Sequence, residues 1–114
     1  MPVGWRFFLA VLLALVIGPG SLLADAFVHP GGLHNQEDLD RMRRKVAEGA
    51  HPWIEGWTKL CEDPLARSDY KPTATANMGV SRQHASRDAH AAYLNTLRWY
   101  ISGDDRYADC AIRI

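Results

Sequence analysis

The sequence predicts an all-α protein built from helical hairpins, and three observations support this fold class. Apolar residues between positions 35 and 114 recur at the three- and four-residue spacing of amphipathic helices. Residues that begin or end helices, chiefly Asn, Asp, Gly and Pro, stand at the borders of these periodic segments. The first two segments are separated by only a few residues, as in an antiparallel helix pair. Together these patterns predict three complete helices and the beginning of a fourth.

The first two predicted helices form a hairpin. The first begins after Asn35, a residue type that favours the N-cap, and ends near Gly49. Its apolar stripe consists of Leu39, Met42, Val46 and Ala50. The second begins at Pro52, which suits the first position of a helix, and is closed by Pro64. One side of this second helix carries Trp53, Ile54, Trp57, Leu60 and Cys61.

The stretch from Leu65 to Ala85 has neither a helical nor a strand period. It contains Pro72 and Gly79 together with scattered polar and apolar residues. An irregular stretch of about 20 residues is uncommon inside a compact domain and is typical of lids and binding loops. We therefore expect this stretch to carry function.

The third predicted helix begins at Ser86 or Arg87 and runs to about Ser102. Its apolar face is wide and comprises Ala89, Ala92, Tyr93, Leu94, Leu97, Trp99, Tyr100 and Ile101. The opposite face carries Arg87, Ala91, Asn95 and Arg98. A helix that is apolar over so much of its surface is expected to lie between other helices.

The fourth helix follows Gly103, a plausible residue for ending the third, and is capped by Asp104. We expect Tyr107, Ala108, Ala111 and Ile112 to face inward. Its apolar pattern is still running at Ile114, and the helices present more apolar surface than they can cover among themselves. The sequence thus predicts a helical fold that is incomplete at its C-terminus and forms the amino-terminal part of a larger fold.

The sequence predicts that residues 1–26 are a secretory signal peptide and that residues 27–114 form the exported domain. Arg6 precedes the apolar run Phe7–Ile17, which is followed by the helix-breaking Gly18-Pro19-Gly20 and by Ala24-Asp25-Ala26, a site of the kind that signal peptidase cleaves. The alternative is a membrane anchor, which needs about 20 apolar residues. The run is too short for this, so we expect a periplasmic or secreted protein without stable membrane insertion after cleavage.

Composition excludes some partners. The chain has 13 basic and 13 acidic residues, so no overall charge points to nucleic acid. No CxxC motif and no Cys/His cluster at zinc spacing is present, and we expect neither a metal nor another cofactor. The two cysteines, Cys61 and Cys110, either pair in an oxidising compartment or are separate buried residues. Their spacing does not decide between these alternatives.

Four segments of the chain resemble the amino-terminal part of the alginate-lyase-like family of polysaccharide lyases. They are FVHPGGLHNQEDLDRMR (27–43), PWIEGWTKL (52–60), Tyr70-Lys71-Pro72 and RDAHAAYLNTLRWYISGDDRYADCAIRI (87–114), in that order. The resemblance covers almost all of residues 27–114 and implies the start of an (α/α) toroid, in which helical hairpins surround an axis. A tetratricopeptide array is the competing helical architecture, but the sequence has no 34-residue period.

The resemblance implies β-elimination in an acidic, uronate-containing polysaccharide. That reaction needs a base, an acid, and a group that neutralises the uronate carboxylate. The family's catalytic His and Tyr, with an Asn-His motif, lie downstream of the matched segments, so no catalytic residue is assigned here and these residues alone are expected to be inactive. Tyr70 matches the tyrosine of the family's lid loop. The predicted substrate-binding residues are Tyr70, Lys71, Asn77, Arg82 and His84.

Other interpretations remain open. The functional alternative is a small secreted all-helical binding or interaction module without catalysis. For the stretch Leu65–Ala85, the alternative to a binding loop is a solvent-exposed loop without function. His29 and His34 are expected to form local hydrogen bonds, Asp88 to complement a helix dipole, and Arg43 to bridge to a neighbouring helix. Helical spacing favours a core position, rather than sugar stacking, for Trp53, Trp57 and Trp99.

Overall fold

The computed structural model describes residues 29–114 and shows an all-α fold, which confirms the predicted class. The helices are α1 (Gln36–Ala47), α2 (Trp53–Glu62), α3 (Met78–Ser102) and α4 (Asp105–Arg113), with a 3-10 turn at Pro64–Ala66. The predicted signal peptide lies outside the described residues. Among residues 29–114, none of the helices combines the length and the apolar character needed to cross a membrane.

The α1–α2 hairpin has the predicted boundaries to within a residue or two. Asn35 caps α1 because its side chain accepts the Asp38 N–H at 2.8 Å, while the Asp38 carboxylate accepts the Asn35 N–H at 3.3 Å. Gly49 follows the helix at φ 65°, a left-handed conformation that favours glycine. After α2, the Asp63 side chain accepts the Leu65 N–H at 2.8 Å and begins the 3-10 turn.

Helix α3 is longer than predicted. The irregular stretch was expected to extend to Ala85, but α3 begins at Met78 and bends at Ser81, where φ is −108° and ψ is 19°. The added turn closes when the Val80 and Ser81 N–H groups donate to the Asn77 carbonyl. The C-terminal boundary agrees with the prediction, since Gly103 adopts φ 73° and donates its N–H to Trp99 O at 2.7 Å.

The predicted faces of α3 are partly wrong. Ala91 and Asn95, expected to face away from the core, are fully buried, because the chain after α2 and helix α4 both pack on this side. Arg98 on the same face is half-buried. Conversely, Trp99 is 38% exposed, and Ile112 of α4 is 83% exposed although it was expected to face inward.

A neighbouring face of α3 forms an open apolar groove with α1 and α2. The groove has a volume of about 470 Å³ and its lining includes Met42, Val46, Trp53, Trp57, Leu94 and Leu97. The tryptophans of α2 are therefore half-buried groove residues. Among the described residues, the fully buried apolar side chains are Ala66, Ala91 and Cys110. The tightest packing thus lies between α3, α4 and the chain that precedes α3.

Candidate functional site

The candidate site is the segment of residues 63–77, here called the anchored loop, which connects α2 to α3. It runs along α3 in the opposite direction to the helix. Near its beginning, Leu65 O accepts Asn95 Nδ2 at 2.9 Å, and Ala66 O accepts Arg98 Nη1 at 2.8 Å. Near its end, Thr75 contacts Ser81. Side chains spaced along one face of α3 therefore hold an otherwise irregular segment in place.

Asp88 makes the largest set of contacts with the anchored loop. Its Oδ1 accepts the Tyr70 hydroxyl at 2.6 Å, and its Oδ2 accepts the N–H groups of Thr73 at 2.9 Å and Ala74 at 2.7 Å. Asp88 is only 5% exposed, so these donors replace the water that its carboxylate would otherwise bind. The expectation that Asp88 simply complements a helix dipole omitted this role.

The Tyr70–Asp88 hydrogen bond shifts both groups. Accepting the Tyr70 hydroxyl holds the pKa of the Asp88 carboxyl below its usual range, with further lowering from the N–H groups of Ala74 and Thr73. The same bond raises the pKa of the Tyr70 phenol, because its proton is held by a carboxylate, and burial raises it further. At neutral pH Asp88 is therefore ionised and Tyr70 is protonated, which is the pairing that the 2.6 Å bond requires.

Three further pairs of residues fix the remainder of the loop. Ser81, 3% exposed, donates its hydroxyl to Thr75 O at 3.1 Å and accepts the Thr75 N–H at 3.1 Å. The Thr73 hydroxyl and His84 Nδ1 lie 3.0 Å apart. From α4, the buried Cys110 thiol donates to Arg67 O at 3.5 Å. The loop is thus attached at its beginning, middle and end.

The five predicted site residues divide into two groups. Tyr70 and His84 belong to the anchoring network, through Asp88 and Thr73 respectively. Lys71, Asn77 and Arg82 are exposed, and their side chains form no hydrogen bond with the described residues. Arg82 and His84 were expected on the loop, but they lie on the first turns of α3, because that helix begins earlier than its apolar period indicated.

Sequence reasoning identified His84 but missed Asp88, Asn95 and Arg98 as anchoring residues of α3. His84, Asp88, Ala91, Asn95 and Arg98 recur at alternating spacings of four and three, which places them on one face of α3. That regular polar and small stripe was the available signal. It resembles a solvent-exposed face in sequence, but here its partners are the main-chain groups of the anchored loop.

Both cysteines are free in this structure. Cys110 is buried and Cys61 is half-buried, and they are not bonded to each other. Within residues 29–114 no group of three or more His, Cys, Asp and Glu side chains is arranged to hold a metal ion.

A second polar cluster joins the start of α1 to α3. His34 Nε2 lies 2.7 Å from the Tyr93 hydroxyl, a contact that spans much of the chain and is not the local bond expected. Arg43 bridges to α3 as predicted, donating Nε to Tyr100 O at 3.1 Å. Its guanidinium carbon lies 4.4 Å from the centre of the Tyr100 ring.

Comparison with known protein families, with curated proteins and with solved structures finds no match to this chain. What distinguishes the chain is its loop, which is anchored by side chains of α3, and the exposed side chains of Lys71, Asn77 and Arg82 on that loop and on the first turns of α3.

Proposed function

We propose that this chain is the amino-terminal part of an exported polysaccharide lyase of the alginate-lyase-like type, and that its anchored loop binds an acidic, uronate-containing glycan. The observation that carries the proposal is that some groups of the loop attach it to α3 while other side chains stay free to bind a ligand. Tyr70 and main-chain groups attach it to Asp88, whereas Lys71 on the loop and Arg82 on the first turns of α3 remain exposed. A binding surface needs such free side chains on a fixed support.

The charges near the loop suit an anionic polymer. Lys71, Arg82 and Arg87 are exposed cations. The nearby Asp88 carboxylate is buried and already accepts three hydrogen bonds, and the exposed Asp69 carboxylate is paired with Arg67. Carboxylates of a uronate polymer would be attracted to this end of the molecule, and an arginine can bind a carboxylate through two parallel N–H bonds.

Catalysis is assigned to the complete enzyme only. The resemblance implies that a base and an acid cleave the glycan by β-elimination, and that these groups come from segments downstream of those matched here. We therefore propose that residues 27–114 contribute binding without turnover. The signal-like amino terminus supports a periplasmic or secreted location, where such polysaccharides occur.

The second candidate function is a secreted helical interaction module without catalysis. The open apolar groove between α1, α2 and α3 favours it, because an exposed apolar surface of this kind is typical of sites that bind other proteins. Glycan binding at the loop and docking at the groove would depend on different faces of α3, so the two functions can be separated by mutation.

The test is calorimetric titration of the full chain with alginate oligosaccharides, with a neutral glucan of equal length as the ligand control. We expect Lys71→Ala combined with Arg82→Ala to weaken alginate binding about tenfold, which corresponds to the loss of about 1.4 kcal/mol. The matched double variant Arg44→Ala with Lys59→Ala removes two exposed cations from α1 and α2 and should bind like the wild type. Undiminished binding by the loop variant would refute the proposal.

Catalysis is followed in the same samples through the ultraviolet absorbance of unsaturated product. We expect none. Robust turnover by this chain would show that a catalytic group lies within the 114 residues and that the assignment of catalysis to downstream segments is wrong.

A further inference from the structure

A pocket of about 310 Å³ opens at the C-terminal end of α3, where that helix meets α1. It is lined by Arg43, Trp99, Tyr100, Ile101, Ser102 and Gly103. None of these residues forms a hydrogen bond with the anchored loop, whose partners on α3 run from Ser81 to Arg98. The pocket combines an aromatic side chain, a cation and the end of a helix, and each of these can contact a ligand.

Trp99 gives the pocket an exposed aromatic surface that is fixed in place. The indole is 38% exposed, and its Nε1–H donates to Asp105 Oδ1 at 3.2 Å. Its ring meets Tyr100 edge to face, with the centroids 6.1 Å apart and the planes at 84°. Since both contacts restrain the ring, a ligand that stacks on it would not have to order it first.

Arg43, the cation of the pocket, is held in place by Tyr100 and has N–H groups that are not used in that contact. Its Nε donates to Tyr100 O, and the guanidinium lies over the Tyr100 ring. The Tyr100 hydroxyl is itself fixed by Asp40 and Gln36. The Nη groups of Arg43 form no hydrogen bond with the described residues, so they are available to a hydroxyl or a carboxylate.

The end of α3 supplies acceptors. The last carbonyls of a helix have no donor within the helix. Here Trp99 O accepts the Gly103 N–H and Tyr100 O accepts Arg43, which leaves the carbonyls of Ile101 and Ser102 to other donors. The negative end of a helix disfavours multiply charged anions, so the pocket suits a ligand rich in hydroxyl groups with at most one carboxylate.

We propose that this pocket binds one sugar ring of a glycan. The ring stacks on Trp99, its hydroxyls donate to the carbonyls at the end of α3, and Arg43 donates to a hydroxyl or to a uronate carboxylate. The identity of the ligand as a glycan rests on the proposed function, but the site is separate from the loop. Asp88 and Trp99 are three helical turns apart, roughly 16 Å, so only an oligosaccharide could reach both the loop at Asp88 and the pocket at Trp99.

The experiment titrates the full chain with an alginate hexasaccharide and with a neutral glucan hexasaccharide. We expect Trp99→Ala to weaken alginate binding about tenfold and Arg43→Gln about fivefold. Two controls lie outside the pocket: Leu33→Ala removes another exposed apolar side chain, and Arg44→Gln removes the neighbouring cation of α1. Wild-type affinity in Trp99→Ala would overturn the inference.

A second measurement avoids any loss of folding in the variants. The indole N–H signal of Trp99 is assigned by its disappearance in Trp99→Phe, and its chemical shift is then followed in the wild type as hexasaccharide is added. A saturable shift supports the inference, and an unchanged signal at saturating ligand overturns it.

The two proposals fail in different ways. Binding that depends on Lys71 and Arg82 but not on Trp99 would leave the loop function standing and refute the pocket. Dependence on Trp99 and Arg43 alone would support the pocket and refute the loop. A chain that binds neither glycan would refute both. If Trp99→Ala weakens the binding of alginate and of neutral glucan equally, the result supports stacking on Trp99. If Arg43→Gln weakens the binding of alginate alone, the result shows that Arg43 binds the uronate carboxylate.

Discussion

The two long faces of α3 are covered in different ways. One carries Asp88, Asn95 and Arg98 and is closed by the anchored loop and α4, with hydrogen bonds of 2.6 to 2.9 Å to loop hydroxyl and main-chain groups. The other carries Leu94, Leu97 and Ile101, and it lines the open groove of about 470 Å³ with α1 and α2. The polar face is therefore the more completely buried of the two.

Apolar and polar residues constrain a neighbouring segment of chain in different ways. Apolar side chains gain stability in proportion to the area they remove from water, whatever covers them, and here the cover is partial. A buried Asn or Asp stabilises only when a partner stands at hydrogen-bonding distance, so it specifies where the neighbouring chain must lie. On α3 the polar face determines the path of the loop, and the apolar face leaves its partner unspecified.

The largest expected effect comes from removing the amide that holds the start of the loop. Asn95→Ala removes a fully buried side chain and leaves Leu65 O without its side-chain donor in a partly buried position, and we expect the free energy of unfolding to fall by about 2 kcal/mol. Urea denaturation measures it. The neighbouring Thr96→Ala, which removes an exposed hydroxyl bonded within the helix, is the matched control. Equal effects of the two variants would contradict the comparison.

A smaller loss is expected on the apolar face. Leu97 is half-buried at the groove, so Leu97→Ala should cost about 1 kcal/mol, less than the full value for a buried leucine. The same variant should lower the fluorescence of a bound apolar dye, since the groove loses apolar surface. A cost above that of Asn95→Ala would reverse the order of the two faces.

The smallest expected effect is local and concerns the acid–base state of the Asp88 contact. Because the folded-state pKa of Asp88 is lowered from 3.8, its contribution is present above that value and is lost as pH falls through the lowered pKa. Because the pKa of Tyr70 is raised from 10.0, its contribution persists through neutral pH and is lost as pH rises through the raised pKa. His84 and Arg87 are the nearby charged or titratable groups on α3.

The amide chemical shifts of Thr73 and Ala74, followed against pH, test this behaviour. They should be constant between these limits and should change in acid, and Asp88→Asn should abolish the acid transition while the amides exchange with solvent faster at neutral pH. An acid transition that persists in Asp88→Asn would show that another group controls the loop.

Much of the fold was predictable because its signals are local. The Asn35 cap, the glycines at 49 and 103, and the apolar stripe of α1 act over one or two helical turns, which a sequence shows directly. The early start of α3 was not predictable in this way. The turn from Met78 to Ser81 has little apolar periodicity, and Ser81 is held by Thr75 outside the helix.

The site was predictable only in part, for a related reason. Tyr70 and the exposed side chains were identified, but Asp88 and Asn95 act on groups 14 to 30 positions away along the chain. Most of those groups are main-chain amides and carbonyls, which every residue possesses, so the sequence of the loop carries no mark of them. Trp99 illustrates a different limit of the sequence. Its helical spacing predicted a core position, but it lines a pocket at the end of its helix.

The attachment of the loop through Thr73 N–H and Ala74 N–H has a consequence for how the surface can vary. Both groups belong to the peptide backbone, so substitutions at positions 73 and 74 other than proline would keep them. Exposed neighbours such as Lys71 and Asn77 can likewise be exchanged without touching Asp88. The loop is therefore suited to diversification: a library of side chains at these positions could be screened for new ligand preferences on one unchanged scaffold.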